Sequence, residues 1–368
     1  MKRCGVLALV LFLTSCALPY RPAQLLEEGS GFPGIVELAS SSTERAVDVL
    51  LVHGMCSHDD SWAEKSIAKL VEAMKLTRSS SPIRQSEDVG GISLTRSTVE
   101  SKAGTFRFVG MVWSPLTKPL KKQLCYDQTV KSELCDGSPP YPAKRAGLNA
   151  SFKDTLLNDC LADALIYQGK AQLDIKRRMK EALLAATAER SGTSTDTPLV
   201  VVSESLGSKV LFDTLADMVE EPESSLAART AQRTIGRLAI IFMNANQIPI
   251  LSLAEQTLPD ASLREATQPV DSLQKLLRER PRSLLERAGS IERLVIVAFT
   301  DPNDLLSYVL PPERYRDEGV QVVNVLVSNE PTLLGKIERP DTAHRGYSAN
   351  PDVPSLMSCG VPKSEACR

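Results

Sequence analysis

The sequence predicts an α/β fold: a mostly parallel central sheet, flanked by helices and carrying helical insertions. Two patterns lead to that expectation. Short apolar, β-branched runs recur along the chain as continuous blocks, the pattern of strands buried on both faces. Between them lie stretches whose apolar residues repeat every three or four positions, the pattern of helices packed on a sheet. The composition is that of a globular chain: of 368 residues, 42% are hydrophobic and 24% charged, ample for a buried core.

Taken in order, Ala46 to Val52 reads as the first strand and ends at His53-Gly54. Ser61 to Leu76 has helical spacing, with Trp62, Ile67, Leu70, Val71 and Met74 on one face. Phe106 to Trp113 alternates like a strand, and Leu199 to Val202 is a buried-type strand. Lys209 to Met218 follows as a helix, with Val210, Leu211, Leu215 and Met218 at helical intervals. Leu238 to Met243, Leu294 to Phe299 and Val320 to Val327 complete the strands. The domain is expected over residues 31–350. Two stretches exceed a minimal α/β repeat. Residues 114–197 hold a Pro- and Cys-bearing loop and then amphipathic sequence from Phe152 to Glu189; residues 245–290 hold charged helical segments and prolines. Each reads equally as a cap over a site or as a peripheral elaboration.

The chain begins with a positive Lys2-Arg3, a short apolar run from Val6 to Leu13, and then Leu13-Thr14-Ser15-Cys16. That layout reads as a signal peptide over residues 1–15, too short to span a bilayer. The last four residues resemble a bacterial lipobox, which implies cleavage before Cys16 and lipid, palmitate included, on that cysteine. The alternative is an ordinary secretory signal with an incidental cysteine. Residues 16–30 then read as a tether to a membrane of the cell envelope. By resemblance to enterobacterial lipoproteins, Ala17 in place of an aspartate implies the outer membrane.

An exported chain meets an oxidising compartment. Of 8 cysteines, Cys4 leaves with the signal and Cys16 is the lipid acceptor. Cys125 with Cys135 and Cys359 with Cys367 are the nearest pairs in sequence; Cys56 and Cys160 remain. The second of these pairs would close the tail, residues 351–368. Buried free thiols are the alternative, and no CxxC pair or neighbouring histidine suggests zinc. A formal charge of −2, no basic cluster and 5% aromatic residues argue against nucleic acid as a partner.

The chemistry is concentrated in Ser203-Glu204-Ser205-Leu206-Gly207-Ser208, directly after the Leu199 strand. A strand that turns sharply into a helix needs small residues two before and two after its apex, and it exposes the apex side chain. Ser205 is therefore the candidate nucleophile. A serine hydroxyl needs a base, normally histidine. The chain has 3 histidines, and only His344 lies downstream, in a loop of small and polar residues after the last strand. The base needs a carboxylate to fix its tautomer, and the loop after Leu294–Phe299 offers Asp301 and Asp304. Asp304 is preferred, because Asp301 before Pro302 also fits a turn or helix cap. Two backbone amides should hold an oxyanion: Leu206, at a helix start, and Met55, after the His53-Gly54 strand end. His53 would brace that loop.

Val52-His53-Gly54, Ser203-x-Ser205-x-Gly207, the Asp304 loop and His344, in the order serine, acid, histidine, resemble the α/β-hydrolase fold superfamily. The resemblance covers about residues 45–350. Trp113-Ser114-Pro115 and His344-Arg345-Gly346-Tyr347 further resemble bacterial lipase/esterase-like proteins of that fold. It implies a serine hydrolase that cleaves small-molecule or lipid carboxylic esters through an acyl-enzyme, with no metal or organic cofactor. Thioesterases, amidases and acyltransferases share the apparatus. Ser203 departs from the glycine of G-x-S-x-G. The competing expectation is a non-catalytic envelope lipoprotein using the fold for binding or assembly.

Overall fold

The computed structural model describes residues 16–75, 83–187, 197–258, 270–280, 293–335 and 337–367. The expected signal peptide lies outside the described residues, as do parts of both insertions.

A nine-stranded sheet dominates the chain. Its strands are β1 (Gln24–Leu25), β2 (Ala46–Val52), β3 (Ile83–Val89), β4 (Ile92–Ser101), β5 (Gly104–Val112), β6 (Leu199–Glu204), β7 (Leu238–Asn244), β8 (Leu294–Thr300) and β9 (Val320–Leu326). Their spatial order is β1-β9-β8-β7-β6-β2-β5-β4-β3. The apolar runs fill its centre because their alternate side chains enter two separate cores. Val200 and Val202 join Val49, Leu51 and Phe242 on one face; Leu199 and Val201 join Leu50, Ile241 and Met243 on the other. Helices α1 (Ile35–Ser41) and α2 (Asp60–Ala73) cover the first face. Helices α3 (Gln172–Thr187), α4 (Leu206–Glu220), α5 (Leu226–Gly236) and α6 (Ser272–Arg278) cover the second.

The sheet is mixed, and this corrects the mostly parallel sheet expected from sequence. Strands β9 through β5 run parallel, but β5-β4, β4-β3 and β9-β1 are antiparallel. The reason lies in the connections. Gly90 and Gly91, with φ of 63° and 85°, link β3 to β4. A two-residue turn with both central residues at positive φ closes a hairpin, whereas a parallel neighbour needs a long crossover. The polar β3 sequence Ile-Arg-Gln-Ser-Glu-Asp-Val suits an edge strand, which is why it did not register as a buried run.

Helix α7 (Pro340–Arg345) and helix α8 (Asp352–Cys359) follow the last strand. Val353 and Met357 of α8 are buried in the first core, so this segment is a structural layer. Residues 16–30 lie along the body. Cys16–Ala17 pairs with Thr332–Leu333, and the Leu26 amide donates to the Asn324 carbonyl. Among the described residues three disulfides are present: Cys56–Cys160, Cys125–Cys135 and Cys359–Cys367. Insertion 114–197 divides between roles. Ile175, Met179 and Leu183 of α3 belong to the second core, as do Leu156, Cys160, Ala164 and Tyr167, while Asp159 and Asp163 turn to the loop that follows β2. No helix among the described residues is long and apolar enough to cross a membrane.

Candidate active site

The candidate residues gather at the carboxyl ends of the parallel strands, where crossover loops converge. Ser205 follows β6 at φ 51° and ψ −128°, a conformation that L side chains rarely adopt. Its neighbours make that turn possible. A Cβ on Gly207 would lie 2.1 Å from the His53 carbonyl oxygen, and one on Gly54 would lie 2.8 Å from the Ser205 Cβ. Ser203, where a third glycine was a natural expectation, is fully buried and tolerated. Its hydroxyl accepts from Ser208 Oγ at 2.9 Å and donates to the Phe242 carbonyl at 3.4 Å. The Ser205 amide donates to the Asn244 carbonyl at 2.7 Å, tying the elbow to β7.

Ser205 Oγ lies 3.2 Å from His344 Nε2 on α7. His344 Nδ1 lies 3.0 Å from both carboxylate oxygens of Asp304. A carboxylate at Nδ1 holds the proton there, so Nε2 presents its lone pair to the serine hydroxyl. Asp304 is buried and accepts two further bonds: the Leu306 amide at 3.0 Å and the Tyr347 hydroxyl at 3.0 Å. Burial, followed by the Asp304 charge, drives Tyr347 well above the usual phenol range, so it stays a donor. Asp301 faces elsewhere. Its carboxylate accepts the Asn303 amide at 2.9 Å and the Asn329 amide at 2.6 Å, bracing the loop.

Met55 and the first residue of α4, Leu206, flank the serine. Leu206 opens its helix, so its amide lacks an intrahelical acceptor. Met55 follows Gly54 and lines the same cleft as Ser205 and His344, a space of about 410 Å³ open to solvent. His53 is a brace. Its Nδ1–H donates to the Gly54 carbonyl at 2.6 Å, and Nε2 accepts the Trp113 and Ser114 amides at 2.8 and 3.0 Å. The ring stacks on Trp113 at 5.1 Å. Burial and the neighbouring His58 hold His53 far below the ordinary histidine range, consistent with a neutral ring in this role. His58, also at the cleft, is lowered to about 4 by burial.

Four residues at or behind the cleft carry no signal of their own in the sequence. Tyr347 ends the His344-Arg345-Gly346-Tyr347 run, whose sequence alone gives the phenol no role. Glu204, between the two elbow serines, lines the cleft and accepts Trp62 Nε1 at 3.2 Å; burial raises its pKa. Asp159 and Asp163 hold the Met55 loop from the insertion. Acidic residues in amphipathic sequence look like a solvated face, and no local signal marks them as buried.

No family model matches the chain, and no curated protein matches it. Among solved structures, acetyl xylan esterase 1 from Thermoanaerobacterium sp. is a match at a TM-score of 0.20 and 10% identity, covering 80% of this chain and 90% of that one. A likeness so slight bears on neither fold membership nor activity.

Proposed function

We propose that the protein is a serine hydrolase of the α/β-hydrolase fold that cleaves carboxylic esters, anchored to the cell envelope by lipid on Cys16. The observation that carries the enzymatic reading is the continuous path Ser205 Oγ to His344 Nε2 to Asp304, at 3.2 and 3.0 Å, opening into a cleft. His344 takes the Ser205 proton as Oγ attacks the ester carbonyl. Asp304 stabilises the resulting imidazolium and keeps its orientation. The Met55 and Leu206 amides receive the developing oxyanion. Protonated His344 then delivers its proton to the leaving alcohol. Water, activated by the same histidine, releases the acyl group and restores Ser205.

A fluorophosphonate probe tests the nucleophile. Labelling of the wild type that disappears in Ser205→Ala is the expected result, accompanied by turnover of short p-nitrophenyl esters. A folded wild type that neither labels nor turns over ester would overturn the reading in favour of a binding or assembly role. The anchor is tested separately by incorporation of an alkyne-bearing palmitate, expected in the wild type and lost in Cys16→Ser.

A further inference from the structure

The loop carrying Met55 is held by a buried assembly that comes from the insertion. Cys56 lies directly after Met55 with φ 77°, in the left-handed region. For a residue with a side chain, that conformation costs free energy and persists only where surroundings enforce it. Here the enforcement is threefold. Cys56 is bonded to Cys160. Its amide donates to Asp163 Oδ2 at 2.8 Å. The next residue, Ser57, donates its amide to Asp159 Oδ1 at 3.0 Å and its hydroxyl to the same oxygen at 2.7 Å.

Asp159, Cys160 and Asp163 lie on one stretch of helical chain, so a single face grips two successive positions, Cys56 and Ser57, directly after Met55. Lys121 completes the assembly. It is buried, and its Nζ reaches Asp159 Oδ1 at 2.8 Å and Asp163 Oδ2 at 2.9 Å. Two buried carboxylates beside each other would repel; the ammonium between them makes the arrangement tenable. Burial pushes the Asp163 carboxyl up to about 6, against the pull of Lys121. At Asp159, burial is outweighed by Lys121 and Ser57, which hold it below the usual carboxylate range.

We infer that Asp159, Asp163 and Lys121 are positioning residues: with the Cys56–Cys160 bridge they clamp the 53–58 loop so that the Met55 amide points at the Ser205 reaction centre. The inference rests on the serine hydrolase reading. It gives Lys121, Asp159 and Asp163 of the insertion a part in the reaction, beyond the packing of their neighbours Leu156, Ala164 and Tyr167 in the second core. The clamp acts on the amide that meets the oxyanion, so its loss affects the transition state and leaves ground-state ester binding alone.

The test compares Asp163→Ala, Asp163→Asn and Ser57→Ala with the wild type. A control replaces both Cys125 and Cys135 by alanine, removing a bridge in the same insertion that does not touch the loop. Removing a whole oxyanion donor costs roughly 100- to 1,000-fold in kcat. A displaced donor should cost less, so Asp163→Ala is expected to lose roughly 10- to 100-fold in kcat with KM within about twofold. Asp163→Asn, which keeps an acceptor for the Cys56 amide, should recover part of that loss. Affinity for a trifluoromethyl ketone, which forms a tetrahedral adduct on serine, should fall in parallel with kcat/KM. Ser57→Ala removes only one hydroxyl bond and keeps the test open should Asp163→Ala not fold; a severalfold drop in kcat is expected there. Unchanged kcat in folded variants of an active enzyme would overturn the clamp alone, as would an equal loss in the Cys125/Cys135 control. A wild type that neither labels nor hydrolyses ester overturns the hydrolase reading and the clamp with it.

Discussion

Tyr347 joins two aspartates of one loop: its hydroxyl donates to Asp304 Oδ2 at 3.0 Å and accepts the Asp301 amide at 2.9 Å. The phenol therefore sets the height of the acid loop relative to His344. Tyr347→Phe removes one charge-assisted bond to Asp304 and leaves the Asp301 amide without its acceptor. Such a bond contributes about 1.5–3 kcal/mol. Steady-state kinetics on a p-nitrophenyl ester should show a fall in kcat of roughly tenfold or more, with KM little changed. Full activity in this variant would remove Tyr347 from the account.

The two aspartates should separate cleanly when each is made an amide. Asp304→Asn places a neutral group at His344 Nδ1 and permits the wrong tautomer; in a comparable triad that change lowers kcat by about 10⁴-fold. Asp301→Asn should leave kcat within severalfold, because its carboxylate faces the Asn303 and Asn329 amides, and should lower the thermal midpoint instead. Paired kinetics and calorimetry decide the assignment, and the reverse pattern would transfer the role to Asp301.

The elbow makes opposite demands at its two flanks. Gly207→Ala would put a methyl carbon 2.1 Å from backbone oxygen of His53, a contact that no side-chain rearrangement relieves. The variant should lose activity and most of its folded yield. Ser203→Ala removes only a buried hydroxyl pair, Ser208 to Ser203 to Phe242. It should cost about 1 kcal/mol in denaturant unfolding while kcat stays near that of the wild type. A large kcat loss in Ser203→Ala would mean that the serine does more than fill the elbow.

The two histidines of the Met55 loop predict a pH dependence of stability. Burial lowers His58 from 6.5 to about 4 and lowers His53 as well. The unfolded chain then binds these protons more readily than the folded one. Their contribution is complete above pH 6.5 and is lost as pH falls toward 4. For His58 alone the loss is on the order of 3 kcal/mol. Asp163, raised to about 6 by burial, works in the opposite sense: its ionisation costs the folded state as pH rises from about 4 to about 6. Urea midpoints measured from pH 7 to pH 4 should therefore fall less steeply in His58→Gln than in the wild type. An identical slope would show that His58 titrates as it does in the unfolded chain.

Sequence alone determined the interior of the sheet and the strands that lead into Ser205 and Asp304, whereas His344, expected in a loop, stands on helix α7. Leu199 to Val202, Leu238 to Met243 and Leu294 to Phe299 are legible because a strand buried on both faces must be apolar at every position, whatever surrounds it. Ser205 is legible because the sharp turn places a steric demand on its own neighbours. What only the tertiary structure decided involves residues whose partners are remote in the chain. The antiparallel β3–β4 edge is polar and depends on pairing with β5. Asp304 was separated from Asp301 by where His344 and Tyr347 stand, some 40 residues on. Asp159 and Asp163 became buried ligands of the Met55 loop only because Lys121 and Cys56 were brought against them. An aspartate in amphipathic sequence has the same local appearance in water as beside a buried ammonium. The difference is the desolvation and charge pairing that folding imposes.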